Sequence, residues 1–180
     1  MTSVGDPTTR LIMLRGNSAS GKSAVATRVR GRYGRGIAIV RQDELRRNLL
    51  WEKDVPGGVN IGLIDTVARY ALDHGYHVIV EGILDAGRYG DMVERLRDDH
   101  LGQSVFFYWD VSFAETVRRH ATKPVADEYG EAEMRDWFRP NDLLPFVCES
   151  IIPETITLDE AADLVIATAG LAASAPSLHP

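Results

Sequence analysis

The residues Gly16, Asn17, Ser18, Ala19, Ser20, Gly21, Lys22 and Ser23 follow the spacing G-x-x-x-x-G-K-[ST] of a phosphate-binding loop, the Walker A motif. The residue types explain the chemistry. Two glycines let the backbone wrap closely around a polyphosphate, with successive N–H groups turned inward. Lys22 has the reach for the β- and γ-phosphates, and the Ser23 hydroxyl suits the Mg²⁺ that accompanies them. The helix expected to follow points its positive N-terminal end at the same anion. A glycine-rich turn that matches by chance is the plainer alternative. The flanks argue against it. Leu11-Ile12-Met13-Leu14 is a short apolar run of the kind that forms a buried parallel strand. Val25, Val29 and Tyr33 then recur at helical spacing, and Gly34 is a natural stop.

A phosphate loop does not say what a nucleotide is used for, so the remaining polar residues must decide. Asp43 closes a second apolar run, Ile37 to Val40, where a carboxylate faces the γ-phosphate and can take the proton of an attacking hydroxyl. Its plainer role is to cap a helix from Asp43 to Leu50. Glu81 ends a third run, His77 to Val80, and there can hold Mg²⁺ through water or bind a substrate hydroxyl. An acid left in solvent is the alternative. Asp110 has a similar place after a fourth run, and helix initiation explains it better. Arg118, Arg119 and Lys123 are candidates for a cationic clamp, with Arg119 and Lys123 assigned to the transferred phosphate and Arg119 also to the nucleotide. Basic residues also favour a helix C-terminus for its dipole alone. Arg46 and Arg47 follow Asp43 by one helical turn and point to a polar or anionic acceptor. Trp51 and Trp137 can line the acceptor pocket or pack in the core. His120 is expected at the surface, and Arg135 and Arg139 either close over the site or stay exposed.

These positions imply a scaffold. Met1 to Arg10 is expected to be a flexible lead-in, and helices are expected at about Lys22 to Tyr33, Asp43 to Leu50 and Ala86 to His100. A further helix starts near Asn60 as its N-cap, with Ile61, Ile64, Ala68, Ala71 and Leu72 inward. Ser112 can cap another, which runs to about His120. Leu45, Leu49 and Leu50 are expected to face inward on the short helix. Residues 121–142 break the alternation and read as a short lid containing a helical piece from Glu131 to Phe138. Glu149 to Ile152 is a fifth strand, and Thr157 to Glu160 has capping-box spacing for a last helix with Ala161, Leu164 and Val165 inward. The tail from Ala169 is expected to fray. Alternating strands and helices mean an α/β three-layer sandwich with a parallel sheet, whose ligands gather at the C-terminal strand ends.

The 180 residues suit a single domain, and a 44% hydrophobic content is that of a soluble globular chain. A net charge of −6 argues against a long nucleic acid as partner. Cys148, the only cysteine, excludes an internal disulfide and reads as a small buried residue. Residues 1–10 lack the apolar stretch of a signal peptide, and no run approaches membrane-span length, so a cytoplasmic protein without membrane contact is expected.

The loop Gly16–Ser23 after a strand, Asp43 after the second strand, and Arg119 near Lys123 in a lid together resemble the small P-loop kinases, particularly the chloramphenicol phosphotransferase-like and zeta-toxin-like group. That resemblance spans about residues 10–168. It implies five parallel strands in the order 2-3-1-4-5, ATP with Mg²⁺, Asp43 as base, and a lid arginine near the adenine and phosphates. It also implies that the loop at residues 153–155 lies beside the nucleotide base. The expected activity is transfer of the γ-phosphate of ATP to a hydroxyl of a small antibiotic-like, sugar-like or nucleoside-like molecule. A nucleoside or nucleotide kinase and a non-catalytic nucleotide-binding regulator are the alternatives. A GTPase is disfavoured because no N-K-x-D signature is present.

Overall fold

The computed structural model describes residues 3–122 and 130–171. Five strands, β1 (Arg10–Gly16), β2 (Ile37–Arg41), β3 (His77–Glu81), β4 (Gln103–Asp110) and β5 (Ser150–Pro153), form one sheet in the order β2-β3-β1-β4-β5. Every adjacent pair is parallel. The helices are α1 (Lys22–Tyr33), α2 (Val59–Asp73), α3 (Ala86–Asp99), α4 (Phe113–His120), α5 (Glu131–Trp137) and α6 (Leu158–Thr168). The alternation is the one the sequence pattern implies, and the strand order is the one the resemblance implies.

The strands are nearly continuous apolar runs because both faces of the sheet are covered. Successive residues still serve opposite faces. Ile12 and Leu14 of β1 join Ile79, Val105, Phe107 and Trp109 beneath Val25, Ala26 and Val29 of α1 and Ala161, Ala162 and Val165 of α6. Leu11 and Met13 join Val78, Val80 and Phe106 beneath Ile64, Ala68 and Leu72 of α2 and Tyr89, Val93 and Leu96 of α3. Each such aliphatic side chain removed from water contributes about 1.5–3 kcal/mol, so this double core holds the strand ends in place.

Local chemistry sets the boundaries. Gly34 ends α1 with φ +98°. Ser112 caps α4 by accepting from the Glu115 N–H, and Thr157 with Glu160 forms the expected capping box of α6. Several expectations are corrected. The segment after β2 is a π-helical turn, Glu44–Leu49, with no buried residue, and Leu49 is 65% exposed. Gly58, not Asn60, occupies the N-cap of α2. Asn60 is drawn inside the fold because its side-chain amide donates to the Tyr89 hydroxyl, 3.1 Å away. Leu164 is partly exposed, and Ala162 takes the inward place on α6. Cys148 is exposed. His120 is buried rather than at the surface. The lead-in is anchored: Val4 is buried and pairs with His100 beside the sheet.

Candidate functional site

Four elements converge at the C-terminal edge of the sheet. The loop from Gly16 to Gly21 leaves β1 and turns into α1. Gly16 has φ +132°, and a Cβ there would lie 2.7 Å from the Trp109 carbonyl oxygen on the neighbouring strand, so only glycine fits. Gly21 has φ +110° and starts α1 without a side-chain cap, which leaves the first N–H groups of the helix for a ligand. Lys22 is buried, and its ammonium donates to the Gly16 and Asn17 carbonyls at 2.8 and 2.7 Å and to Ser20 Oγ at 2.9 Å. Its charge therefore sits inside the loop. Ser18 and Ala19 complete the turn, Ala19 with φ +59°. Ser23 and Ala24 lie exposed on the first turn of α1.

Glu81 ends β3 beside β1 and is 5% exposed, so it is not an acid left in solvent. Burial pushes its carboxyl above the ordinary 4.5; the Lys22 ammonium, a hydrogen bond from Ser23 and the Arg41 guanidinium act the other way, and the Asp43 charge adds to the rise. Arg41, the last residue of β2, approaches Glu81 at 3.3 Å and also donates to Glu44 and to the Thr27 hydroxyl. A buried carboxylate with a serine hydroxyl against it is an all-oxygen donor set, which suits Mg²⁺. Among the described residues no group of three or more His, Cys, Asp or Glu side chains is placed to hold a metal ion.

Asp43 does not cap a helix: its backbone is already helical and its side chain makes no cap hydrogen bond. It projects into solvent and accepts from Arg46 Nη2 at 2.8 Å. The same guanidinium donates through Nη1 to the Glu52 carbonyl at 3.3 Å. Arg46 is thereby committed to Asp43 and the following loop. Arg47 lies beside it, half-buried.

Arg119 bridges three places. It donates to the Ser20 carbonyl at 2.8 Å, to the Glu154 carbonyl at 2.8 Å and to Glu115 at 2.6 Å. This puts it between the phosphate loop and the turn at residues 153–155. Hydrogen bonds from Arg118 and Arg119 hold the Glu115 carboxyl down to about 2. Arg118 is exposed and pairs with Glu115. Arg135 lies over the Phe113 ring at 4.3 Å, and Trp137 is half-exposed on α5. Lys123 lies outside the described residues.

The sequence reading missed a buried ion cluster directly beneath the loop. Arg15, fully buried in β1, pairs with Glu149 at 2.8 Å and Asp142 at 3.1 Å and donates to the Leu84 carbonyl. The signal was present: a charged residue between Leu14 and Gly16, inside a run that must be buried, needs an ionic partner. A second missed cluster flanks Asp43. The Tyr89 hydroxyl donates to Asp54 at 2.7 Å and accepts from Gln42 and Asn60. Burial, and then the Asp54 carboxylate, push that hydroxyl well above its ordinary value.

No family model and no curated protein matches the sequence. Solved structures do match. The Mycobacterium tuberculosis APS kinase, in complex with AMPPNP and APS, is 22% identical with TM-score 0.66, covering 89% of this chain and 97% of its own. The Deinococcus radiodurans tunicamycin resistance protein is 17% identical with TM-score 0.62, covering 93% and 99%. A Sinorhizobium meliloti gluconokinase is 16% identical with TM-score 0.57, covering 94% and 96%. The chain thus has the fold of the small P-loop kinases along nearly the whole length of each. Among the described residues no helix is long and apolar enough to cross a membrane.

Proposed function

We propose that the protein transfers the γ-phosphoryl group of ATP to a hydroxyl of a small molecule. The observation that carries this reading is the convergence on Glu81. The Lys22 ammonium from the phosphate loop and the Asp43 carboxylate from the end of β2 both act on that one buried carboxyl. A phosphate holder, an oxygen donor pair and the exposed Asp43 carboxylate, held by Arg46, thus belong to the C-terminal ends of the adjacent strands β1, β3 and β2. A module that only binds nucleotide has no use for the third.

In this reading the Gly16–Ala24 backbone and Lys22 hold the phosphates, and Arg119 holds the loop against the base-side turn. Ser23 and Glu81 would hold Mg²⁺, which when bound neutralises charge on the β- and γ-oxygens. The acceptor oxygen attacks the γ-phosphorus as its proton passes to Asp43. The bond from that phosphorus to the β,γ-bridging oxygen breaks, and ADP leaves. Arg46 fixes the direction of the Asp43 carboxylate, and Lys123 is a candidate for the cation on the transferred group. Arg46 and Arg47 do not favour a phosphorylated acceptor as strongly as their spacing suggests, because Arg46 is already engaged by Asp43 and Glu52.

The test is ADP release from ATP and Mg²⁺ with a panel of sugars, polyols, aromatic alcohols and nucleosides. Release that depends on one class of alcohol, and disappears in Lys22→Ala, supports the kinase. ATP binding with consumption indifferent to every alcohol would support a nucleotide-binding regulator instead.

A further inference from the structure

Within residues 49–59, from the last residue of the π-helical turn to the first of α2, four large apolar side chains face solvent: Leu49 at 65%, Trp51 at 90%, Val55 at 46% and Val59 at 67% exposure. The loop is not slack. The Glu52 N–H donates to the Arg46 carbonyl at 3.0 Å, and the Gly58 N–H to the Val55 carbonyl at 3.1 Å. Glu52 accepts from the Asn60 N–H at 2.7 Å, and Asp54 takes the Tyr89 hydroxyl at 2.7 Å and Arg88 at 3.1 Å. Its acids are turned inward and tied down, while its apolar residues are turned out, the reverse of an ordinary surface loop. Trp51 itself has φ +54°, a left-handed conformation that bulky residues avoid. Backbone strain of this kind clusters at ligand contacts and active sites.

The indole is also continuous with the candidate site. One guanidinium, Arg46, spans from Asp43 to the Glu52 carbonyl, directly after Trp51. Building on the kinase reading, we propose that Trp51, with Leu49 and Val55 on the same loop, is a platform for the acceptor. The acceptor is then an alcohol bearing a flat aromatic or apolar ring, with its ring on the indole and its hydroxyl at Asp43. A protein partner fits less well. These four side chains fall short of the ~800 Å² per partner of a stable interface, and the strained residue immediately precedes the Glu52 carbonyl that Arg46 links to Asp43. Aromatic stacking gives discrimination of roughly tenfold or more between ligands that differ by a ring.

The experiment is calorimetric binding with Mg²⁺ and a non-hydrolysable ATP analogue present. Three matched pairs each differ by a ring: glycerol against phenyl glyceryl ether, methyl against phenyl β-glucoside, and ribose against uridine. In at least one pair the ring compound should bind the wild type at least tenfold tighter. Trp51→Ser should erase that preference, and Trp51→Phe should keep most of it. Equal affinities within every pair, no binding by any ring compound, or a preference that survives in Trp51→Ser would each overturn the proposal. So would a dimer that dissociates in Trp51→Ser, because the surface would then be a subunit interface. Phosphate transfer is read separately. A ring preference without transfer to any alcohol counts against the kinase reading and leaves the platform standing.

Discussion

Asn17 of the phosphate loop grips Arg139 by both polar groups of its backbone: the Asn17 amide donates to the Arg139 carbonyl at 2.9 Å, and its oxygen accepts the Arg139 N–H at 2.8 Å. The Tyr108 hydroxyl adds a third bond, to the same carbonyl at 3.1 Å. The chain returning from α5 is thus fastened to the loop that holds the phosphates. Asn17→Ala removes two of these bonds and should lower stability by about 1–2 kcal/mol in denaturant unfolding. Limited proteolysis should also cut residues 130–142 faster. An unchanged cleavage rate would show that the tether does not restrain this segment.

Arg15 and Glu149 pose a harsher test of the scaffold. Arg15→Met leaves Glu149 and Asp142 without their guanidinium, and an uncompensated buried carboxylate costs about 3–5 kcal/mol. The double variant Arg15→Met/Glu149→Gln should regain most of that loss, since it removes the stranded charge. Urea melts of the two variants measure this. A single variant as stable as the wild type would mean that the cluster contributes nothing.

His77 gives the fold a pH dependence. Burial, and then the Arg10 charge, lower its pKa below 6.5, with Asp6 acting the other way; its Nε2 meets the Tyr33 hydroxyl at 2.9 Å. The unfolded chain then binds the proton more readily than the folded one. Stability tied to this group is present above pH 6.5 and is lost as pH falls through the lowered value. His100, lowered mainly by burial as well, acts in the same direction. Thermal melts should show Tm falling between about pH 7 and 5, and His77→Gln should flatten that slope. The same slope in the variant would locate the effect elsewhere.

The parts of the molecule written in local pattern were legible from residues alone. Gly16 to Ser23 announced the loop, the apolar runs announced the strands, and Thr157 with Glu160 announced a cap. The resemblance then supplied the strand order; the contacts of Arg119 with the Ser20 and Glu154 carbonyls came from the structure. What stayed hidden depends on contacts between distant segments. Arg15 meets Glu149 only once β1, β4 and β5 are side by side. Asn60 looks like a helix cap until Tyr89 arrives from α3 to bind it. Leu49 fits a helical inner face at the usual period, but the chain winds there as a π-turn and turns it outward. Wider turns of this kind gather near functional sites, and Asp43 immediately precedes this one.

If Asp43 takes the proton of the acceptor while the Lys22 loop holds ATP, phosphate transfer from ATP in Asp43→Asn, measured with the alcohol that the wild type phosphorylates best, is the decisive measurement. Transfer should fall by about 10²–10⁴-fold, with ATP affinity within roughly twofold of wild type. Transfer at the wild-type rate would remove Asp43 from the chemistry.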